Sequence, residues 1–150
     1  MKLEVKVSRH LPNASFDGSQ MRLVVKHLLE NAAYFATERA KDFARVSVLV
    51  SHNKHSKQDV IEIRDNGYGV GLDHIDHIFE PFYSSEPGHS GLGLYLAKQF
   101  CEMNMARLDY IANQEGACFR ITFASHIEVE RFLDKREAFD IRDKLRTSAA

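Results

Sequence analysis

The chain's 150 residues suit one domain with a substantial core, and 44% apolar with 27% charged residues is an ordinary globular composition. A net charge of −1 with scattered basic residues excludes a field that would gather nucleic acid or an anionic membrane. No stretch nears the roughly 20 apolar residues that span a bilayer, and the opening MKLEVKVSRHLP lacks a signal-peptide core. A cytoplasmic domain without direct membrane contact is therefore expected. Its two cysteines, Cys101 and Cys118, are expected to be reduced thiols in apolar sites.

In chain order, residues 3–7 alternate as a strand, with Leu3, Val5 and Val7 on one face. Residues 11–18 form a loop, and Asp17 or Ser19 is placed to cap a following helix. From Gln20 to Ala40, apolar residues recur at helical spacing: Leu23, Val24, Leu28, Ala32, Phe35 and Ala36. Residues 45–50 and 60–63 read as strands flanking the polar hairpin SHNKHSKQD. A long irregular stretch, 65–90, precedes a helix at 92–103. Residues 107–111 and 117–123 make two further strands around a turn. A charged tail, 127–146, carries Val129, Phe132, Leu133, Phe139, Ile141 and Leu145 at helical spacing. This stripe docks on its own domain or on a partner helix. The order β-α-β-β-loop-α-β-β-α predicts an α+β two-layer sandwich. Its sheet is mixed and mainly antiparallel, with helices on one face. An irregular stretch of about 25 residues inside a compact domain usually carries function.

Three segments hold polar residues or glycines where a helix or strand does not need them. In HLLENAAYF (27–35), Asn31 is a poor helix former beside small alanines. It is either a solvated polar residue or an amide oxygen offered to a hard cation such as Mg²⁺. In IEIRDNGYGVG (61–71), a strand ends at Asp65 and three alternate glycines follow. Here the choice is an Asp-Asn-Gly turn or a carboxylate that accepts from an exocyclic amine such as that of adenine. In IFEPFYSS (78–85) and HSGLGLYLAK (89–98), Phe79 and Phe82 are expected to pack a short helix. Gly91 and Gly93 stand at a helix entrance whose N–H groups favour phosphate. No Gly-Lys-Ser/Thr follows, so this is not a Walker A loop.

The four motifs together resemble the N, G1, F and G2 boxes of the GHKL ATPases, in their order and in the wording of the histidine kinases. The resemblance covers residues 1–124, an ATP-binding catalytic domain of Bergerat fold, and leaves 125–150 as a C-terminal helical extension. It implies that Asn31 coordinates Mg²⁺ on the ATP phosphates. Asp65 binds the adenine amino group, and Gly67, Gly69 and Val70 shape that wall. Ser90, Gly91, Leu92, Gly93 and Leu94 meet the phosphates. Phe79 and Phe82 support the lid, residues 83–90. Glu30 is the candidate for acid–base help, although its side chain leaves the helix about 100° from that of Asn31. The implied activity is protein-histidine kinase: the γ-phosphate passes to a histidine on a phosphoacceptor domain of the parent protein, and from there to a response regulator.

Several positions depart from the family pattern. His27 stands where hydrolytic relatives carry a general-base Glu, Tyr34 where kinases often have Lys or Arg, and Glu86 where the lid often has Lys. His89 replaces the first Gly of the G2 box. The last three changes lower the positive charge near the γ-phosphate, while loss of the general-base Glu fits a phosphotransferase that does not hydrolyse ATP. No dimerisation helix pair precedes Leu3, so a fragment or a stand-alone ATP module is expected. The competing readings are a degenerate GHKL domain that docks a partner, with weak or no nucleotide binding, and a stand-alone serine kinase that regulates a sigma factor. His74 and His77, three residues apart, lack further metal ligands and read as a solvated turn.

Overall fold

The computed structural model describes residues 1–11, 14–86, 88–125 and 127–136. The elements follow the expected order: β1 (Lys2–Val7), α1 (Gly18–Ala40), a 3₁₀ turn (Lys41–Phe43), β2 (Arg45–Asn53), β3 (Gln58–Asp65), α2 (Gly93–Met103), β4 (Arg107–Tyr110) and β5 (Cys118–Thr122). The five strands form one sheet in the order β1-β2-β3-β5-β4. Only β1 pairs in parallel, with β2; the other neighbours are antiparallel. This is the mixed α+β sandwich expected from the sequence.

Strand alternation decides the faces. Val46, Val48, Ile61, Ile63, Phe119, Ile121 and Leu108 share one side through the cross-strand register. They meet the apolar stripe of α1, where Val24, Leu28, Ala32 and Ala36 recur every four residues and are at most 3% exposed. Leu28, Ile63 and Ile121 are among the fully buried side chains. Each contributes about 1.5–3 kcal/mol by leaving water. Asp17 is the cap of α1: its Oδ1 accepts from the Ser19 and Gln20 N–H groups at 2.9 and 2.8 Å. Asn104, just past α2, accepts from the Asp17 N–H and donates to Gln20 Oε1, tying the end of α2 to the start of α1.

The structure alters four expectations. The β2–β3 hairpin runs further into polar sequence than expected: Ser51, His52 and Asn53 pair with Val60, Asp59 and Gln58. A bond of 2.9 Å between His52 Nδ1 and Asp59 sustains that extension. Leu3, Val5 and Val7 do share the helix-side face, but they are 54–60% exposed, because α1 does not reach the edge strand. Phe79 and Phe82 pack no short helix, since residues 72–82 are a chain of turns. Finally, residues 127–136 are helical, yet Ile127, Phe132 and Leu133 remain 44–51% exposed. Phe139, Ile141 and Leu145 of the expected stripe lie outside the described residues. Cys101 and Cys118 are buried free thiols, and burial pushes the Cys101 thiol up to about 12.

Candidate functional site

Between the sheet and the two helices, at the end where β3 finishes, lies a hollow of about 570 Å³. That is the size of small-molecule sites. The α1 wall presents His27, Asn31 and Phe35, with Glu30 beside them. The spacing of four explains this wall: 27, 31 and 35 form a stripe next to the core stripe 24, 28, 32 and 36. Asn31 therefore stands at the boundary between core and cavity rather than on the outer face of the helix. Its amide makes no hydrogen bond with any described residue. Glu30 is more exposed and is held at 3.7 Å by both Lys26 and His27.

Asp65 enters from the sheet. It continues the inward row of Ile61 and Ile63, so strand alternation buries it, leaving it 7% exposed. Its Oδ1 accepts from the Gly67 N–H at 2.7 Å and the Ala117 N–H at 3.1 Å. Both bonds end on one oxygen, so Oδ2 remains for a group inside the hollow. Burial pushes this carboxyl above the usual range, and the two N–H bonds oppose the shift without cancelling it. Gly116 makes the arrangement possible. Its φ is +73°, and a Cβ there would lie 2.1 Å from the Asp65 carbonyl oxygen.

The third wall is the start of α2. Gly91, Leu92, Gly93 and Leu94 all border the hollow. Leu92 caps the helix without any side-chain bond, so first-turn N–H groups have no partner from a cap. Gly91 has φ +66°, and its carbonyl accepts from the Phe82 N–H at 3.1 Å. A Cβ on Gly91 would sit 2.4 Å from the Phe82 carbonyl carbon. The main chain of Phe82, not its ring, thus anchors the loop; the ring is 77% exposed. Phe79 lies half-buried against Phe119, with the Lys98 ammonium 4.8 Å from its ring centre.

Of the residues expected at the site, Glu30, Asn31, Asp65, Gly69, Val70, Ser90, Gly91, Leu92, Gly93 and Leu94 border the hollow, whereas Gly67, Phe79 and Phe82 do not. Gly67 acts from behind, through its bond to Asp65. Sequence reasoning missed Phe35, Ile78, Ala117 and Phe119, which supply apolar wall, and His74, whose Nδ1 bonds the Tyr83 hydroxyl. His74 does lie in an exposed turn, as expected, and that turn also borders the hollow. Tyr83, Ser84, Ser85, His89 and Ser90 bring the expected lid segment to the rim. There the rings of His89 and Tyr34 meet at 4.6 Å. Desolvation first, then Glu86 and Glu38, raise the Tyr34 hydroxyl above its ordinary range. No lysine or arginine among the described residues lines the hollow.

Comparison with known proteins shows the family and the fold. Residues 16–127 match the family model described as histidine kinase-, DNA gyrase B- and HSP90-like ATPase. The chain is 38% identical over 109 residues to the sensor protein kinase PilS of Pseudomonas aeruginosa, covering 72% of this chain and 20% of that protein. It is 34% identical over 94 residues to the sensor protein ChvG of Agrobacterium fabrum, covering 57% and 15%. The chain thus spans about a fifth or less of these relatives' length. Among solved structures, the catalytic domain of the histidine kinase ThkA superposes with a TM-score of 0.68 at 14% identity, covering 82% of this chain and 78% of that one. The mycobacterial sensor histidine kinase MprB does so with 0.62 at 27% identity, covering 81% and 80%.

Proposed function

The chain belongs to the histidine kinase-, DNA gyrase B- and HSP90-like ATPases, and from that premise we propose that it binds ATP with Mg²⁺ for phosphoryl transfer in a sensor histidine kinase. One observation carries this reading. The Asn31 amide, the Asp65 carboxylate and the uncapped start of α2 border the same hollow, although together they span more than sixty residues of sequence.

In this reading Asp65 Oδ2 accepts from the adenine amino group, and Val70, Ile78 and Phe119 flank the base. The N–H groups around Gly91 to Leu94 hold the phosphates at the positive end of α2. The residues present fit Mg²⁺ as a shared ion rather than a protein-caged one. Among the described residues, no cluster of three or more His, Cys, Asp or Glu side chains could hold a metal. Asn31, meanwhile, offers a single amide oxygen without a partner among the described residues, which suits an ion whose remaining ligands are phosphate oxygens and water. When bound, the ion supplies charge neutralisation for phosphoryl transfer. The chain's own part is positioning: Asn31 fixes the phosphate end, Asp65 the base end, and Tyr83, Ser84, Ser85, His89 and Ser90 of the lid segment shield the opening. Glu30, on the same wall, is placed for acid–base assistance.

The γ-phosphate is delivered to a histidine on a phosphoacceptor domain of the parent kinase, which then serves a response regulator. A cytoplasmic location, with any anchoring in the parent protein, is part of the same proposal; no helix among the described residues is long and apolar enough to cross a membrane. A second reading has one observation behind it. A hollow without lysine or arginine suits a partner-docking module that binds nucleotide weakly. Calorimetric titration with a non-hydrolysable ATP analogue, with and without Mg²⁺, separates the two. The kinase reading expects saturable binding that Mg²⁺ strengthens. Absence of binding under both conditions overturns it in favour of the docking module.

A further inference from the structure

A nucleotide triphosphate brings about four negative charges into a hollow whose described walls hold Glu30 and Asp65 but no lysine or arginine. The side chains there that can turn cationic are three histidines: His27 on α1, His74 in the turn after Gly71, and His89 at the rim. His89 differs from the other two in its setting. His27 is tied to Glu30 at 3.7 Å, and His74 is bonded to the Tyr83 hydroxyl. The His89 ring makes no side-chain hydrogen bond with any described residue and leans on the face of Tyr34, with centroids 4.6 Å apart and planes 58° apart. It directly precedes Ser90 and Gly91, which lead into the uncapped start of α2.

Resting on the nucleotide reading above, we propose that His89, steadied by Tyr34, is a phosphate-binding residue and that its protonation couples nucleotide affinity to pH. Histidine is the side chain whose charge changes in the physiological range, and an imidazolium donates from both ring nitrogens. Carboxylates stand around this ring pair. Glu38 on α1 and Glu86 on the lid segment act electrostatically on Tyr34, the ring that His89 packs against. The His89 N–H also bonds the Glu86 carbonyl. Glu30 and Asp65 stand on the other walls, together with His27 and His74. The tilted contact with Tyr34 holds the imidazole at the rim.

The test is calorimetric titration of the folded chain with Mg²⁺-ATP and with adenosine at pH 6 and pH 8, comparing wild type, His89→Gln and His89→Lys. Adenosine lacks phosphate and reports the base end alone. Titration of the ATP phosphates, His27 and His74 is common to all three proteins and cancels in ratios between them. At pH 6, His89→Gln is expected to lose about five-fold in ATP affinity, the size of one exposed charge contact. At pH 8 it should match wild type, and its adenosine affinity should be unchanged. His89→Lys is expected to hold the stronger ATP affinity at both pH values. If wild type binds ATP and His89→Gln shows the same affinity and pH dependence, the role of His89 is overturned while the nucleotide reading stands. If wild type binds neither ligand, both fall.

Discussion

Replacing Asp65 by Asn tests the base end of the site with little change of shape. Asn keeps an oxygen for the Gly67 and Ala117 N–H groups. It puts an NH₂ group where Oδ2 stood, so a donor meets the donor of adenine. A hydrogen bond to a charged acceptor is worth about 1.5–3 kcal/mol, and each 1.4 kcal/mol is ten-fold. Asp65→Asn should therefore weaken ATP binding about ten- to a hundred-fold by calorimetry and erase discrimination against GTP, which has a carbonyl in place of adenine's 6-amino donor. Stability should move the other way. Burial raises the folded-state pKa of Asp65 above its unfolded value, so the folded state holds the proton more tightly. Wild-type stability then falls as pH rises from the unfolded to the folded pKa, and the penalty is fully present above the folded value. The nucleotide-free variant should melt higher than wild type at pH 7. Unchanged ATP affinity in a folded variant would refute the adenine assignment, and a lower melting temperature would refute the view of Asp65 as a functional residue held at a stability cost.

Three other outcomes follow from the geometry. Asn31→Ala should reduce Mg²⁺-dependent ATP binding far more than metal-free binding, and equal losses in the two titrations would remove Asn31 as the ion's ligand. Leu28→Ala, at a fully buried position of the α1 stripe, should cost about 2–5 kcal/mol in urea unfolding; a loss below 1 kcal/mol would mean that α1 is not the core helix. Glu62 is 5% exposed between Arg64 at 2.5 Å and Arg120 at 2.6 Å. Burial pushes its carboxyl up, but the bonds from Arg120 and Arg64 outweigh that and hold it below the usual range. Its stabilisation should be present above the unfolded carboxylate pKa and disappear as pH falls through the lower folded value. Glu62→Gln should cost about 3 kcal/mol at pH 7 and flatten the acid limb of the stability curve, as read by chemical unfolding at several pH values.

Much of the fold was legible because its signals are local. The I-E-I-R-D alternation of residues 61–65 already assigns Asp65 to the face of Ile61 and Ile63, and the four-residue rhythm of α1 marks both stripes on that helix. The site was legible where a residue type conflicts with its element, as Asn31 does within a helix. It was illegible where long-range packing decides. Nothing near His74 foretells that a turn will carry it to the rim beside Tyr83. Gly116 reads as a hairpin residue until the sheet brings it against the Asp65 main chain. Phe82 looks like a packing aromatic, yet its positive φ turns the ring outward and leaves the backbone to do the holding. Leu3, Val5 and Val7 carry the pattern of a half-buried strand, but whether a helix reaches them depends on the width of the sheet.

That uncovered margin bears on how the domain behaves in concentrated solution. β1 ends the sheet, so half of its peptide groups face outward beside a ribbon of aliphatic side chains, a template on which another extended chain could grow. Lys2, Glu4 and Lys6 alternate along its opposite side. A second copy laid alongside in register would bring like charges together, so the polar half of this short strand guards against the stacking that its oily half invites.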